Sequence, residues 1–404
     1  MKKDNNLKNI LLLVLIVVAV ILTLVFFPNT PIWNIVVLLL MLSVLIFVHE
    51  GGHFLVAKKC GVHVYEFALG MGPKILTFKR KNDPTEYTLR AFPIGGFCAM
   101  AGEEGEDDDT LDKDKFMCNK SKIKRILILV AGVTMNFITA IVLLFFIGLF
   151  YGSTEQSSVI GSVQENSPAY SAGLKENDKI IEFNEYKIGT WDKLTIVANL
   201  KNKNDYYTYK IKHEDGSIDE YKIIPDKYAV FDDKMIKLEG DVTLESVLKE
   251  YKKEEKEVTV SKLVGISAPN KIHKGFSSAI KYAFSKFGSI VSTMILIIGS
   301  LFTGKLGLSA LSGPVGMYSV VGTVAQAGFA NLIYLMAYLS INLGVLNILP
   351  FPAFDGGRVL FVLIEAITRK KVDPKVEGYF HSIGFILIMI LMIYITFQDV
   401  LRLF

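Results

Sequence analysis

The chain has 404 residues, of which 51% are hydrophobic and 21% charged, and its mean hydropathy is +0.39. That is too apolar for an ordinary soluble protein and too charged for one lying in a membrane throughout, so both spans and a water-facing part are expected. The net charge of +4 comes without a lysine/arginine stripe, which excludes DNA and RNA as partners.

Five strongly apolar segments follow in chain order: residues 10–27, 33–57, 126–151, 332–349 and 383–397. The first follows the basic start Met1-Lys2-Lys3, and no small-residue cleavage site follows Phe26-Phe27-Pro28. It reads as an uncleaved anchor, and residues 1–32 as an extra N-terminal span with its link. Residues 58–125 form a loop, 152–275 a water-exposed domain with a charged insertion at about 226–257, and 276–330 an interfacial helix with a membrane-contacting segment. Residues 331–404 hold the last two spans. Lys58, Lys59, Lys79, Arg80, Lys81, Lys122, Lys124, Arg125, Arg369, Lys370 and Lys371 flank the spans on one side, which the positive-inside rule places in the cytoplasm. Cys60, Cys98 and Cys118 show no C-x-x-C spacing and read as free thiols of that compartment. The acidic run at 103–114 reads as a solvated loop.

The 33–57 span ends in His49-Glu50-Gly51-Gly52-His53, an H-E-x-x-H motif. On a helix the two imidazoles lie one turn apart and face the same way, so both can bind one Zn²⁺ while Glu50 handles a water proton. Charged and metal-binding groups inside an apolar span are costly, which points to chemistry done within the bilayer. A catalytic zinc needs a third protein ligand, and Asp355 is the best candidate. It stands in Asn347-Ile348-Leu349-Pro350-Phe351-Pro352-Ala353-Phe354-Asp355-Gly356-Gly357, at the depth predicted for the histidines. The prolines and glycines there break the helix, and irregular backbone is tolerated at that depth only where protein or a polar cavity surrounds it.

Together these residues resemble the site-2 protease family of zinc intramembrane proteases. Gly70-Met71-Gly72-Pro73 and Phe92-Pro93-Ile94-Gly95-Gly96-Phe97 are similar to that family's membrane-associated β-hairpin region. Ala131-Gly132-Val133-Thr134-Met135-Asn136-Phe137 resembles its A-G-P-x-x-N-F, and Ser312-Gly313-Pro314-Val315-Gly316 its S-G-P-x-G. The order Ser167-Pro168-Ala169, Ala172-Gly173-Leu174 within alternating short apolar strands looks like an inserted PDZ domain, as in bacterial relatives of the regulator of sigma-E protease. Two departures, Gly51 beside Gly52 and Val133 in place of proline, bear on local helix shape and leave the ligands and the carboxylate intact.

The resemblance implies a polytopic α-helical fold of about four core spans plus the extra one, a β-hairpin region and a β-rich PDZ domain outside the cell. It implies zinc held by His49, His53 and Asp355, Glu50 as the catalytic acid–base, and Asn347, with Asn342 as a weaker candidate, near substrate backbone; interhelical packing is the alternative for both asparagines. It also implies a multi-pass bacterial plasma-membrane enzyme with its active site toward the cytoplasm. Its substrates would be single-span membrane proteins already shortened by another protease, such as anti-sigma factors or signal-peptide remnants. A strand of the hairpin would pair with unwound substrate. Two other readings are a catalytically inactive PDZ membrane scaffold, opposed by retention of all four site residues, and a transporter, opposed by the lack of an inverted repeat. A true span at 287–302 would invert the last spans and part Asp355 from the histidines.

Overall fold

Thr30 opens the first long helix: its hydroxyl accepts the backbone N–H of Trp33 at 3.3 Å, and Pro31 supplies a pre-set φ at the first helical position. This is seen in the computed structural model, which describes residues 18–20, 22–23, 26, 28, 30–103, 110–201, 204–231, 234–240, 242–251, 253 and 258–403. The expected anchor at 10–27 and the centre of the acidic run lie largely outside the described residues. Helix α1 (Pro31–Lys59) buries one stripe, Val37, Leu38, Met41, Leu45, His49, Gly52, His53 and Ala57, at helical spacing. It leads into β1 (Val64–Lys79) and β2 (Glu86–Met100). These two long strands bend at Gly70, Gly72 and Gly95, all with φ near +85°, so the hairpin folds on itself. Residues 66–69 consequently face 96–99 on one side and 86–89 on the other, while 76–79 pair with 86–89. Helix α2 (Lys122–Phe150) follows.

Two compact units result, residues 1–147 with 307–404, and residues 148–306. The second unit begins with the short strands β3 (Ser153–Thr154) and β4 (Ser162–Val163) and the single-turn helix α3 (Pro168–Ser171). Then come β5 (Lys179–Phe183), β6 (Tyr186–Lys187), α4 (Trp191–Ala198), β7 (Tyr207–Lys212) and β8 (Ile218–Ile223), giving a sheet of order β6-β5-β7-β8. Alternation along β7, with Tyr207, Tyr209 and Ile211 inward, builds a core around the fully buried Phe183, whose ring lies 4.7 Å from that of Tyr209.

The described residues of the charged insertion form a small β unit with a core of its own. Strands β9 (Asp226–Phe231), β10 (Lys234–Lys237) and β11 (Thr259–Leu263) pair in the order β10-β9-β11, with α5 (Leu244–Tyr251) alongside. Ala229, Phe231, Val247 and Val258 form its own small core, a pattern hidden in the sequence by the intervening Lys and Glu. Strand β12 (Ile266–Ser267) pairs with β4, and β13 (Ile272–His273) with β3. Helix α6 (Phe276–Phe302) docks on α4 through polar groups: Lys286 Nζ donates to both oxygens of Asp192 at 2.8 and 2.9 Å, and the Ser289 hydroxyl donates to Asp192 Oδ2 at 2.7 Å with the Thr190 hydroxyl 2.9 Å away.

The chain returns to the first unit with α7 (Pro314–Gln326), α8 (Phe329–Ile348), α9 (Asp355–Thr368) and α10 (Pro374–Leu403). Asp399 of α10 accepts the backbone N–H of Gly313 and of Gly316 at 2.7 and 2.8 Å, which fastens α10 to the start of α7. Among the described residues six helical stretches are long and apolar enough to cross a membrane: α1, α2, α6, Leu308–Gln326, α8 and α10. The four expected core spans correspond to α1, α2, α8 and α10, and α6 and Leu308–Gln326 are two further stretches with the length and apolarity of a span. Lysine, serine, threonine and glycine dilute the apolar pattern of these two in the sequence.

Candidate active site

His49 and His53 project from α1 toward α2, and two glycines make room for them. A Cβ on Gly52 would stand 2.4 Å from the carbonyl oxygen of Ala131, and one on Gly132 only 2.3 Å from His53 Nε2, so a side chain at the first would part the helices and one at the second would displace an imidazole or a helix. Gly51 meets nothing within 4 Å and imposes no such condition. Both histidines are buried. The Nδ1–H of His53 donates to the carbonyl of Ile128 at 2.8 Å, which fixes the tautomer and leaves the Nε2 lone pair facing inward.

Asp355 arrives from the other end of the unit. After α8 the Pro350–Pro352 break turns the chain, and Ala353 adopts φ +73° with its N–H donated to His381 Nδ1 at 3.0 Å. Asp355 then begins α9. Its neighbours must be glycine, because a Cβ on Gly356 would fall 2.2 Å from the carbonyl of Leu349 and one on Gly357 2.4 Å from that of Phe351. Asp355 Oδ2 ends up 3.2 Å from His49 Nε2 and 3.3 Å from His53 Nε2, and the two Nε2 atoms are 3.2 Å apart. Among the described residues that oxygen has no hydrogen-bond partner.

Three buried lone-pair atoms in a near-equilateral triangle repel one another unless a cation lies between them. Tetrahedral zinc with bonds of about 2.0 Å spaces its ligands about 3.3 Å apart, which matches these edges. The three groups can thus hold a metal ion.

Glu50 lines a cavity of about 780 Å³ together with His53, Asp355, residues 97–100 of β2 and, on α10, His381 and Phe385. Asn347 Nδ2 lies 3.4 Å from His49 Nε2, inside the cluster. Asn342, on the same helix, has its Oδ1 buried without a hydrogen-bond partner.

Asn136 was not among the expected site residues, although it stands within the Ala131–Phe137 motif. It is fully buried on α2, 3.1 Å from His49 Nδ1, and its backbone carbonyl accepts the hydroxyl of Ser340 at 2.8 Å. Arg358 was missed too; it pairs with Glu103 on the cavity wall.

Comparison with known proteins agrees with this geometry. Residues 37–391 match Peptidase family M50. A Clostridium acetobutylicum chain bearing a zinc metalloprotease name is 38% identical over 91% of this chain and 97% of its own length. The zinc metalloprotease RasP of Shouchella clausii is 31% identical over 90% of this chain and 97% of its own. The regulator of sigma-W protease RasP of Bacillus subtilis is 30% identical over 94% of this chain and 100% of its own. With six apolar helices among its described residues and a β region, the chain is a multi-pass membrane protein that belongs to peptidase family M50, a zinc metalloendopeptidase of the site-2 protease type.

Proposed function

We propose that this intramembrane protease hydrolyses peptide bonds in or near the transmembrane segment of single-span membrane proteins, with His49, His53 and Asp355 as metal ligands and Glu50 as general acid–base. The observation that carries the reading is the buried triangle of His49 Nε2, His53 Nε2 and Asp355 Oδ2, with edges of 3.2–3.3 Å. Zinc, when bound, supplies Lewis acidity that polarises a carbonyl and makes water a competent nucleophile at neutral pH.

The remaining steps fall to the chain's own groups. Glu50, next to His49 on α1 and lining the cavity, takes the proton from the attacking water and returns it to the leaving nitrogen. Asn347 donates to substrate backbone from its place beside His49. Residues 96–100 pair with 64–69 on one side only among the described strand pairings, and Phe97–Met100 line the cavity. Their outer edge can pair with an unwound substrate and satisfy its backbone groups within the membrane.

The cationic flanks of α1, α2 and α9 support a cytoplasmic active site. We read residues 152–275 as an extracellular PDZ domain. The four-stranded sheet supports this, as does a cavity of about 810 Å³ between α4 and residues 259–267, suited to an extended peptide end. Such a domain would select substrates already cut by another protease. The relative named regulator of sigma-W protease supports substrates of the anti-sigma-factor kind, signal-peptide remnants being the other class, in regulated intramembrane proteolysis.

The test is a single-span reporter co-expressed with wild type or Glu50→Gln, then assayed in detergent with and without a zinc chelator. Product from wild type alone, lost on chelation, together with equal zinc content in both proteins, is the expected result. Equal product from both proteins would remove Glu50 from its role. Zinc retained after His49→Ala and Asp355→Ala would remove the ligand assignment.

A further inference from the structure

A smaller cavity, of about 240 Å³, lies between the start of α2 and the end of α9. Its wall carries Lys120, Lys122, Arg125, Arg369, Lys370 and Lys371 against a single carboxylate, Glu365. That carboxylate is already engaged: Arg125 Nη1 donates to its Oε2 at 2.5 Å and the N–H of Val372 to its Oε1, while Lys122 Nζ donates to the Glu365 backbone carbonyl at 2.9 Å. Among the described residues no carboxylate lies within ion-pair distance of the other five cations. The crowding of like charge costs stability unless an anion shares the space.

Two features mark the place as built for a ligand. Arg125 is 8% exposed, and its Nε is buried without a hydrogen-bond partner. Arg369 ends α9 in the left-handed region, at φ +60°, where glycine is the ordinary choice. A side chain there costs on the order of 1 kcal/mol, and what it provides is a guanidinium at the cavity.

Exposed apolar side chains lie close to these cations in the chain, on the same two helices. Ile123 and Leu127, one turn apart on α2, are 73% and 50% exposed, and Ile367 on α9 is 82% exposed. In a multi-pass membrane protein such side chains meet acyl chains, so the cations stand where hydrocarbon gives way to headgroups. A ligand with a phosphate at one end and hydrocarbon at the other meets both surfaces; inorganic phosphate meets only the first.

We propose that this cavity binds a phosphate group, supplied by the headgroup of an anionic phospholipid whose chains lie along Ile123, Leu127 and Ile367. The inference is independent of the catalytic roles given above. It also has a bearing on them, since α9 runs as one helix of 14 residues from Asp355 to this cavity.

The experiment is native mass spectrometry of the delipidated full chain in an uncharged detergent. The chain is titrated with phosphatidylglycerol, with phosphatidylcholine of the same acyl chains, or with sodium phosphate. The variant is Arg369→Gly with Lys371→Gln; glycine fits the left-handed backbone, so folding is preserved. Lys175→Gln is the control for charge alone. Phosphatidylglycerol should bind wild type in preference to phosphatidylcholine, and the double variant should bind it about thirtyfold more weakly, roughly fivefold for each cation. If sodium phosphate binds as tightly as the lipid and the same variant abolishes it, the phosphate site stands and its source is the free ion. Equal affinity of wild type and the double variant for phosphatidylglycerol, or equal affinity of wild type for both lipids, would overturn the proposal.

Discussion

Asn136 stands 3.1 Å from the Nδ1 of His49, and its Oδ1 is buried without a partner. The two facts resolve together. With the amide turned so that Oδ1 faces the ring, the oxygen accepts the Nδ1–H proton and His49 presents an unprotonated Nε2 toward Asp355. Asn136 thus does for His49 what the Ile128 carbonyl does for His53. Asn136→Ala should lower zinc affinity by about 10–100-fold, as loss of such an outer partner does at other zinc sites. Competition against a graded chelator series, read as zinc content, checks this. Unchanged affinity would mean that Asn136 only packs.

Gly132 gives a sharper steric prediction. Its missing Cβ is the space His53 Nε2 occupies, at 2.3 Å, with His49 Cε1 at 2.7 Å. Gly132→Ala must push α2 away or turn an imidazole off its tautomer-fixing hydrogen bond. We expect at least a hundredfold loss of proteolysis with loss of bound zinc, while Gly51→Ala, which meets nothing, leaves both unchanged. Zinc content and reporter cleavage measured on the same preparations distinguish the two variants.

What was legible in the sequence follows from how local each signal is. The histidine pair and Glu50 announce themselves because one helical turn holds them. Asp355 is 302 residues beyond His53 in the numbering, yet matching depth in two spans sufficed to nominate it. Asn136 and Gly132 carry no such mark: their task exists only once α2 faces α1, and a buried asparagine in an apolar helix reads equally well as packing. The same limit hid α6 as a long apolar helix. Its Lys286 and Ser289 look like interruptions until Asp192 and Thr190 are found against them. The sequence left the structure of the insertion at 226–257 open because its buried core is only four residues wide.

Asn347 and Asn342 should separate kinetically. Asn347 Nδ2 lies within the cluster, 3.4 Å from His49 Nε2, whereas Asn342 presents a buried, unpartnered Oδ1. If Asn347 donates to the substrate as bond cleavage proceeds, Asn347→Ala should reduce kcat by about 10²–10³ with zinc content intact. Asn342→Ala should act chiefly on stability. Single-turnover cleavage in detergent, with zinc measured beside it, tests the assignment, and a loss of kcat confined to Asn342→Ala would reverse it.

Asp83 governs how the hairpin is held to α1, and its behaviour with pH can be stated with a sign. Lys58, in the last turn of α1, donates to Asp83 Oδ1 at 2.5 Å, and Tyr87 donates to Oδ2 at 2.9 Å. The Lys58 ammonium, helped by hydrogen bonds from Thr85 and Tyr87, holds the Asp83 carboxyl well below the usual carboxylate range. A depressed carboxyl pKa stabilises the folded form fully above the unfolded value of about 4, and that contribution is lost as pH falls from there through the depressed value. Wild type should therefore lose thermal stability below about pH 4 more steeply than Asp83→Asn, which lacks the titrating group. At neutral pH the order is reversed, with Asp83→Asn the less stable because Lys58 loses its partner. Since β2 carries the edge strand at 96–100 beside Glu50, the same substitution should also reduce cleavage at neutral pH while zinc content stays at the wild-type level. Melting curves of both proteins between pH 3 and 8 in one detergent, with zinc and reporter cleavage measured at pH 7, check all three outcomes. Parallel pH profiles would show that the Lys58–Asp83 contact does not hold the hairpin.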